Sequence, residues 1–218
     1  MASSGTLNIP KGYRIEQGLL WPEGDQKCAA AVFNTVSDMD HALKHVKGQR
    51  LAVQAGGNMG VWPRHLAGLF DRVITFEADP VNHRALVFNT IGYDNINVLH
   101  AALGPVTGVW CSTETPPREE GNAGAIRIAQ GNRVPVLTID SLNLPHCDMI
   151  YLDIEGTELA ALSGAEVTIV RCRPVVAFED KGLSEHFGIK KGEAEQFLAR
   201  LGYRVVARPH RDVVMVPT

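Results

Sequence analysis

No stretch of this 218-residue sequence is apolar for the roughly 18 residues that a membrane-spanning helix needs. The first ten residues are small and polar, without the basic and apolar regions of a secretory signal peptide. The sequence therefore predicts a protein with no membrane partner and a cytoplasmic location.

Cysteine is scarce and scattered. The four cysteines, Cys28, Cys111, Cys147 and Cys172, lie far apart and form no C-x-x-C pair. Neither a zinc site nor a disulfide framework is predicted, and reduced thiols agree with a cytoplasmic protein.

Positive charge is not in excess. Lysine and arginine number 21 against 24 acidic residues, which gives a net charge of −3. Proteins that bind nucleic acid or anionic membranes electrostatically usually carry a basic surface. The composition therefore favours no nucleic-acid partner.

Two common nucleotide-binding loops are missing. The dinucleotide pattern G-x-G-x-x-G requires three glycines, but counting from Gly56 its later positions hold Asn58 and Val61. The phosphate-loop pattern that ends in Gly-Lys-Ser/Thr is also absent. A dinucleotide-dependent oxidoreductase is therefore disfavoured.

A glycine-rich turn is nevertheless present between a predicted strand and a predicted helix. The uncharged run 51–55 is typical of a buried strand, and Gly56, Gly57, Asn58 and Gly60 follow it. A second strand ends at Glu77, 21 residues after Gly56, where a carboxylate can bind the hydroxyls of a ribose. A ligand with a ribose but no pyrophosphate fits best, and S-adenosylmethionine (SAM) is the common one.

The order of elements predicts one α/β domain over residues 1–218. Strands alternate with helices and a hairpin ends the chain, which predicts a doubly wound, mostly parallel sheet. Residues 1–34 are interpreted as an N-terminal extension. Residues 106–130 are rich in glycine, proline and polar residues and are predicted to form an irregular lid loop.

Four acids follow the fourth and fifth predicted strands: Asp153, Glu155, Glu179 and Asp180. Ligands of such sheets bind at the carboxyl ends of the strands, where these acids could serve as a general base, hold a polar substrate or bind a cation. Capping of the next helix is the structural alternative for one or two of them, and is the role expected of Glu158. No metal site is assigned, and Asp153, Glu179 and Asp180 are the candidate ligands of a divalent cation.

Several segments resemble motifs of the FkbM-type methyltransferases. Residues 53–60 (V-Q-A-G-G-N-M-G) resemble the family's V-D-V-G-A-N-I-G, and residues 76–80 (F-E-A-D-P) resemble F-E-P-x-P. Residues 102–104 match A-L-G, residues 137–142 resemble T-L-D-S-L, and residues 152–159 resemble the family's I-D-V-E-G-A-E. These matches run from about residue 51 to residue 180 in the family's order.

The resemblance implies a Rossmann-like methyltransferase fold with a mostly parallel seven-stranded sheet. It also implies SAM as the methyl donor and a hydroxyl of a sugar or small natural product as the acceptor. The implied cofactor-binding residues are Gln54, Gly56, Gly57, Asn58, Gly60, Glu77, Ala78, Ala102 and Asp153.

Two residues depart from the family pattern. Gln54 replaces the acid of the first motif, and Tyr151 replaces the lysine that commonly precedes I-D-V-E-G. Gln54 favours an alternative function, a non-catalytic nucleoside-binding or interaction module on the same fold.

Methyl transfer from a sulfonium requires alignment of donor and acceptor and removal of the acceptor proton. Asp153 and Glu155 are the candidate catalytic bases because of their position at a strand end. The expected partner is a small-molecule or saccharide acceptor, with a homo-oligomer as a further option.

Overall fold

The structure, a computed structural model, describes residues 9–218. The strands are β1 (Tyr13–Glu16), β2 (Leu19–Pro22), β3 (Leu51–Ala55), β4 (Arg72–Phe76), β5 (Ile96–Leu99), β6 (Ala102–Leu103), β7 (Trp110–Glu114), β8 (Arg127–Gln130), β9 (Val134–Leu137), β10 (Met149–Leu152), β11 (Val175–Glu179), β12 (Tyr203–Ala207) and β13 (Asp212–Pro217). The α-helices are α1 (Cys28–Thr35), α2 (Asp40–Leu43), α3 (Val61–Ala67), α4 (Pro80–Thr90), α5 (Glu158–Ser163), α6 (Glu166–Cys172) and α7 (Glu193–Arg200). Single 3₁₀ turns cover Val36–Met39, Pro117–Glu119, Asp140–Leu142 and Leu183–Phe187.

A seven-stranded sheet forms the centre, in the order β12-β13-β11-β10-β3-β4-β5. The five strands from β11 to β5 are parallel, and the terminal hairpin β12–β13 is antiparallel. The predicted α/β fold, with its mostly parallel seven-stranded sheet and C-terminal hairpin, is confirmed.

Successive residues of the central strands enter two different cores. Val53 and Ile150 pack with α5, α6 and α7 on one face of the sheet, whereas Ala52 and Tyr151 pack with α3 and α4 on the other. Because side chains alternate across a strand, a strand covered on both faces is apolar throughout. This burial explains why β3 and β10 carry no charged residue.

The prediction that residues 106–130 form an irregular loop is wrong for two parts of that range. Strands β7 and β8 lie within it and pair antiparallel, in a second sheet of order β6-β9-β7-β8. These short strands carry polar residues on a half-exposed surface, so their sequence lacks the apolar alternation that identifies buried strands. Residues 115–126 connect the two strands outside any ladder.

The described part of the N-terminal extension packs against the domain. Strands β1 and β2 form a hairpin, and Trp21 is fully buried. The side chain of Asn89 in α4 accepts the Leu20 N–H at 2.7 Å and donates to the Leu20 carbonyl at 2.9 Å. Within residues 9–218 no helix is both long and apolar enough to span a membrane.

Candidate active site

A cavity of about 410 Å³ opens at the carboxyl ends of β3, β4, β10 and β11. Gly56, Glu77, Asp153 and Glu179, which follow or end these strands, all line it. Parallel sheets place ligands at this edge, where strand order reverses, and the volume suits a small molecule.

The glycine turn after β3 is fixed by close backbone contacts. Gly56 has φ +80°, and a Cβ atom there would lie 1.9 Å from the carbonyl oxygen of Asp153. The N–H groups of Gly56 and Gly57 both donate to the Phe76 carbonyl, at 3.1 and 2.8 Å. Only glycine fits at Gly56, and the turn is thereby held between β4 and β10.

Two further turn glycines lie behind the cavity wall. A Cβ atom on Gly57 would lie 2.6 Å from Leu86, and Gly60 precedes α3 with φ +93°. Neither lines the cavity, although Gly56 and Asn58 do. Gly57 and Gly60 therefore shape the turn from behind.

The prediction that Gln54 contacts the cofactor requires correction. Gln54 is fully buried under the turn and does not line the cavity. Its amide Nε2 donates to the carbonyls of Ala55 and Gly56 at 3.0 and 2.9 Å, and its Oε1 accepts from Thr75 at 2.5 Å. An amide can donate to those carbonyls and a carboxylate cannot, so Gln54 stabilises the turn from below.

Glu77 lies at the end of β4, beside the turn. Its two carboxylate oxygens accept the backbone N–H groups of Asn58 at 2.7 Å and Asp79 at 2.8 Å. Burial raises the pKa of Glu77 to about 7, and the backbone N–H groups oppose that shift. Ala78 and Ala102 line the cavity nearby.

Three of the predicted acids converge with a lysine on the far side of the cavity. One carboxylate oxygen from each of Asp153, Glu155 and Glu179 lies within 4.8 Å of the other two. The Lys181 ammonium contacts Glu155 at 2.9 Å and Glu179 at 2.6 Å. We call these four residues the acid–lysine cluster.

The predicted cation ligands are corrected at one position. Asp180 lies outside the acid–lysine cluster, and its carboxylate accepts the Gly192 N–H at 3.1 Å. The Glu179 carboxylate instead contacts Lys181, the residue after Asp180. Lys181 was missed by the sequence interpretation, although it lies two residues after Glu179. Residues at that spacing can share one face of an extended chain, which would have indicated Lys181 as a neighbour of Glu179.

Burial controls protonation in the acid–lysine cluster. It raises the pKa of both Glu155 and Glu179, and the nearby Asp153 charge adds to the rise, while the Lys181 charge opposes it. Burial alone would lower the pKa of Lys181, but its two glutamate partners raise it. The lysine is therefore charged at neutral pH, while its partners hold protons more readily than exposed glutamates do.

Glu158 has a structural role, but it holds the turn before α5 instead of capping that helix as expected. Its Oε1 accepts the N–H groups of Ile154 and Gly156, at 3.1 and 3.3 Å, and the residue is almost fully buried. These bonds hold the turn that carries Glu155, whose φ of +57° is unusual for a residue other than glycine.

Asp25 joins the N-terminal segment to the inserted β7–β8 hairpin. Its carboxylate accepts Trp21 Nε1 at 2.8 Å and the N–H groups of Cys28, Ala29 and Ala123 at 3.0 to 3.1 Å. Burial alone would raise the pKa of Asp25, but these hydrogen bonds lower it. The sequence interpretation missed this contribution to the cavity wall, because a long-range bond to a backbone N–H leaves no residue pattern.

Tyr151 also faces the cavity, where its hydroxyl donates to Asp212 at 2.9 Å. At the position where the family commonly has lysine, this chain therefore has a neutral donor paired with a carboxylate. Asp212 begins β13, so the C-terminal hairpin contributes to the same wall.

The strand order, the glycine turn and the strand-end carboxylates define the class of Rossmann-like methyltransferases. The model of the methyltransferase FkbM domain matches residues 60–205, and the chain belongs to this family. Use of SAM as the methyl donor is implied by that membership.

Solved structures share this fold. The methyltransferase FkbM from Methylobacillus flagellatus is 21% identical over 77% of this chain, with a TM-score of 0.52. This chain spans 43% of that protein's length, less than half. No curated protein matches the chain.

Two other structures are similar in fold alone. Precorrin-8w decarboxylase from Methanobacterium thermoautotrophicum is 16% identical, with a TM-score of 0.51, over 95% of this chain and 97% of its own. The Streptococcus mutans protein SMU.1697c, in complex with S-adenosylhomocysteine (SAH), is 9% identical, with a TM-score of 0.51, over 83% of this chain and 96% of its own.

Proposed function

We propose that this chain is a SAM-dependent O-methyltransferase that acts on a hydroxyl of a sugar or small natural product. One observation carries the proposal. A single cavity has the glycine turn and Glu77 on one wall and the acid–lysine cluster on another.

The residues near the glycine turn fit the nucleoside part of SAM. Each Glu77 carboxylate oxygen accepts one backbone N–H and retains further acceptor capacity, which the two ribose hydroxyls would use. Gly56, Ala78 and Ala102 add little side-chain bulk to the same cavity. SAM bound there would supply a methyl group on a positively charged sulfur.

Asp153 is the residue that we assign to proton removal. Its backbone N–H donates to the Ala55 carbonyl at 3.1 Å, beside the glycine turn, and its side chain lines the cavity. Among residues 9–218 its carboxylate has no hydrogen-bond partner, whereas Glu155 and Glu179 are bound by Lys181. A free carboxylate next to the donor can accept the acceptor's proton as the methyl group is transferred.

Glu155 and Lys181 are assigned to orientation of the acceptor. A sugar presents several hydroxyls that both donate and accept hydrogen bonds, so a wall with carboxylates and an ammonium suits it. Correct alignment of donor and acceptor supplies a large part of such catalysis.

A divalent cation on Asp153, Glu155 and Glu179 is the alternative means of activating the hydroxyl. The Lys181 ammonium already forms ion pairs with two of these carboxylates, those of Glu155 and Glu179. We therefore propose that proton removal needs no metal, and that a chelator leaves turnover unchanged.

The experiment combines calorimetric binding of SAM and SAH with transfer of a labelled methyl group to mixed sugars and hydroxylated natural products. We expect donor binding, and label in a hydroxyl-derived ether that survives addition of a chelator. Binding without transfer to any acceptor would support the non-catalytic module. Failure to bind either donor form would contradict the proposal.

A further inference from the structure

Asn82 has an unpaired buried oxygen on the wall of the cavity. It lies in the first turn of α4, is 3% exposed and lines the cavity. Its Nδ2 donates to the Ala123 carbonyl at 2.8 Å, but within residues 9–218 its Oδ1 has no hydrogen-bond partner. A buried amide oxygen without a donor is unfavourable, and in a cavity wall it points to a ligand that supplies one.

Asn82 and Glu77 are linked by a short series of hydrogen bonds. The Asp79 N–H donates to Glu77 at 2.8 Å, and the Asn82 N–H donates to the Asp79 carboxylate at 3.0 Å. The two side chains therefore lie on one wall of the cavity, within the span that a nucleoside with its ribose at Glu77 would cover.

The donor that satisfies Asn82 can be assigned by elimination, if the proposed function holds. The adenosine part of SAM has three kinds of hydrogen-bond donor: the 2′-hydroxyl, the 3′-hydroxyl and the 6-amino group of adenine. Glu77 would accept both hydroxyls, which leaves the amino group. We infer that Asn82 Oδ1 accepts a hydrogen bond from the adenine 6-amino group and so selects adenine over 6-oxopurines.

The orientation of the amide supports this selectivity. A 6-oxo base presents an acceptor where adenine presents a donor, and the two oxygens would then face each other. Rotation of the amide to offer Nδ2 instead would break the bond that Nδ2 donates to the Ala123 carbonyl. Ala123 is itself held in place, because its N–H donates to the buried Asp25 carboxylate. The amide is therefore fixed with its nitrogen bonded and its oxygen without a partner among residues 9–218.

The test compares calorimetric binding of SAH and of its 6-oxo analogue S-inosylhomocysteine. Wild-type protein should bind SAH at least about tenfold more tightly, as expected for one well-formed hydrogen bond. Asn82→Ala should bind SAH about tenfold more weakly and bind the analogue almost as before, so that the discrimination disappears. Asn89→Ala is the matched control, because Asn89 lies on the same helix but bonds to the backbone of Leu20 and Met59 instead.

Each outcome separates this inference from the proposed function. Equal binding of SAH and the 6-oxo analogue by wild-type protein would overturn the inference and leave SAM use intact, even if Asn82→Ala did not fold. Unchanged discrimination in a folded Asn82→Ala protein would also overturn it. Failure of wild-type protein to bind SAH would overturn both.

Discussion

Glu77 has a structural role and a proposed binding role in the same carboxylate. Its carboxylate already accepts the N–H groups of Asn58, in the glycine turn, and of Asp79, just before α4. A carboxylate that is already fixed loses little freedom when a ribose binds. Preorganisation of this kind makes a residue's contribution to affinity large.

Replacement of Glu77 by alanine tests the donor assignment. The change removes two charge-assisted hydrogen bonds to the ribose, worth roughly 1.5–3 kcal/mol each, so SAH affinity should fall at least a hundredfold. Burial raises the pKa of Glu77 to about 7, so the ionised fraction of Glu77 increases as pH rises through neutrality. The affinity of the wild-type protein for SAH should therefore rise over the same pH range. Calorimetry from about pH 6 to pH 8 measures both effects.

Thermal unfolding without ligand is the control for Glu77→Ala, since the variant also frees two backbone N–H groups. A folded variant with undiminished SAH affinity would contradict the assignment of Glu77.

Asp153 and Glu155 carry the proposed chemistry. Asp153→Asn and Glu155→Gln should each lower methyl transfer at least about a hundredfold, the scale expected for loss of a general base or of an aligned acceptor. SAH affinity should change little, because neither change removes a contact assigned to the nucleoside. Turnover and calorimetry on the same preparations measure this.

Glu158→Gln is the matched control for these variants. It should mainly cost stability, about 1 kcal/mol, because Glu158 supports a turn through backbone N–H groups. Full turnover in both Asp153→Asn and Glu155→Gln would remove the catalytic assignment.

At the scale of elements, the insertion between β6 and β9 forms much of the cavity's outer wall. Thr113, Asn122, Ala123 and Ile128 all line the cavity. Strands β7 and β8 are fixed by their ladder, and Ala123 is held by Asn82 and Asp25, so the lid hypothesis applies to the rest of the connection 115–126.

Hydrogen exchange tests whether this connection acts as a lid. Without ligand, amides in 115–126 other than that of Ala123 should exchange faster than those of β3 and β10, and SAH with an acceptor should slow them. The β7 and β8 amides serve as the internal comparison. Protection of 115–126 equal to that of β3 in the free protein would show that the lid hypothesis is wrong.

At the scale of the whole molecule, the sequence predicts the sheet well and the site in part. The uncharged runs of β3 and β10 and the glycine turn follow from local patterns, because burial on both faces constrains every residue of such a strand. Glu77 and Asp153 directly follow strands and Glu155 lies two residues after Asp153, so the pattern predicts their place at the cavity, and their roles stay predictions.

The remaining site residues depend on contacts that no local pattern records. Lys181 joins the cavity only because β11 lies beside β10, which brings the ends of two distant strands together. Asn82 and Asp25 were missed because the backbone of the insertion is their partner. Gln54 does not line the cavity because the glycine turn covers it, and the local sequence does not show which strand residue a turn will cover.

The bond between Asp25 and Ala123 has a consequence for how the protein is made. It joins residues 98 positions apart, so Asp25 is synthesised long before its partner. Closing so long a loop is slow compared with local pairing, and it follows assembly of the segments it joins. The wall of the cavity that this bond holds is therefore incomplete in a nascent chain until Ala123 has emerged from the ribosome.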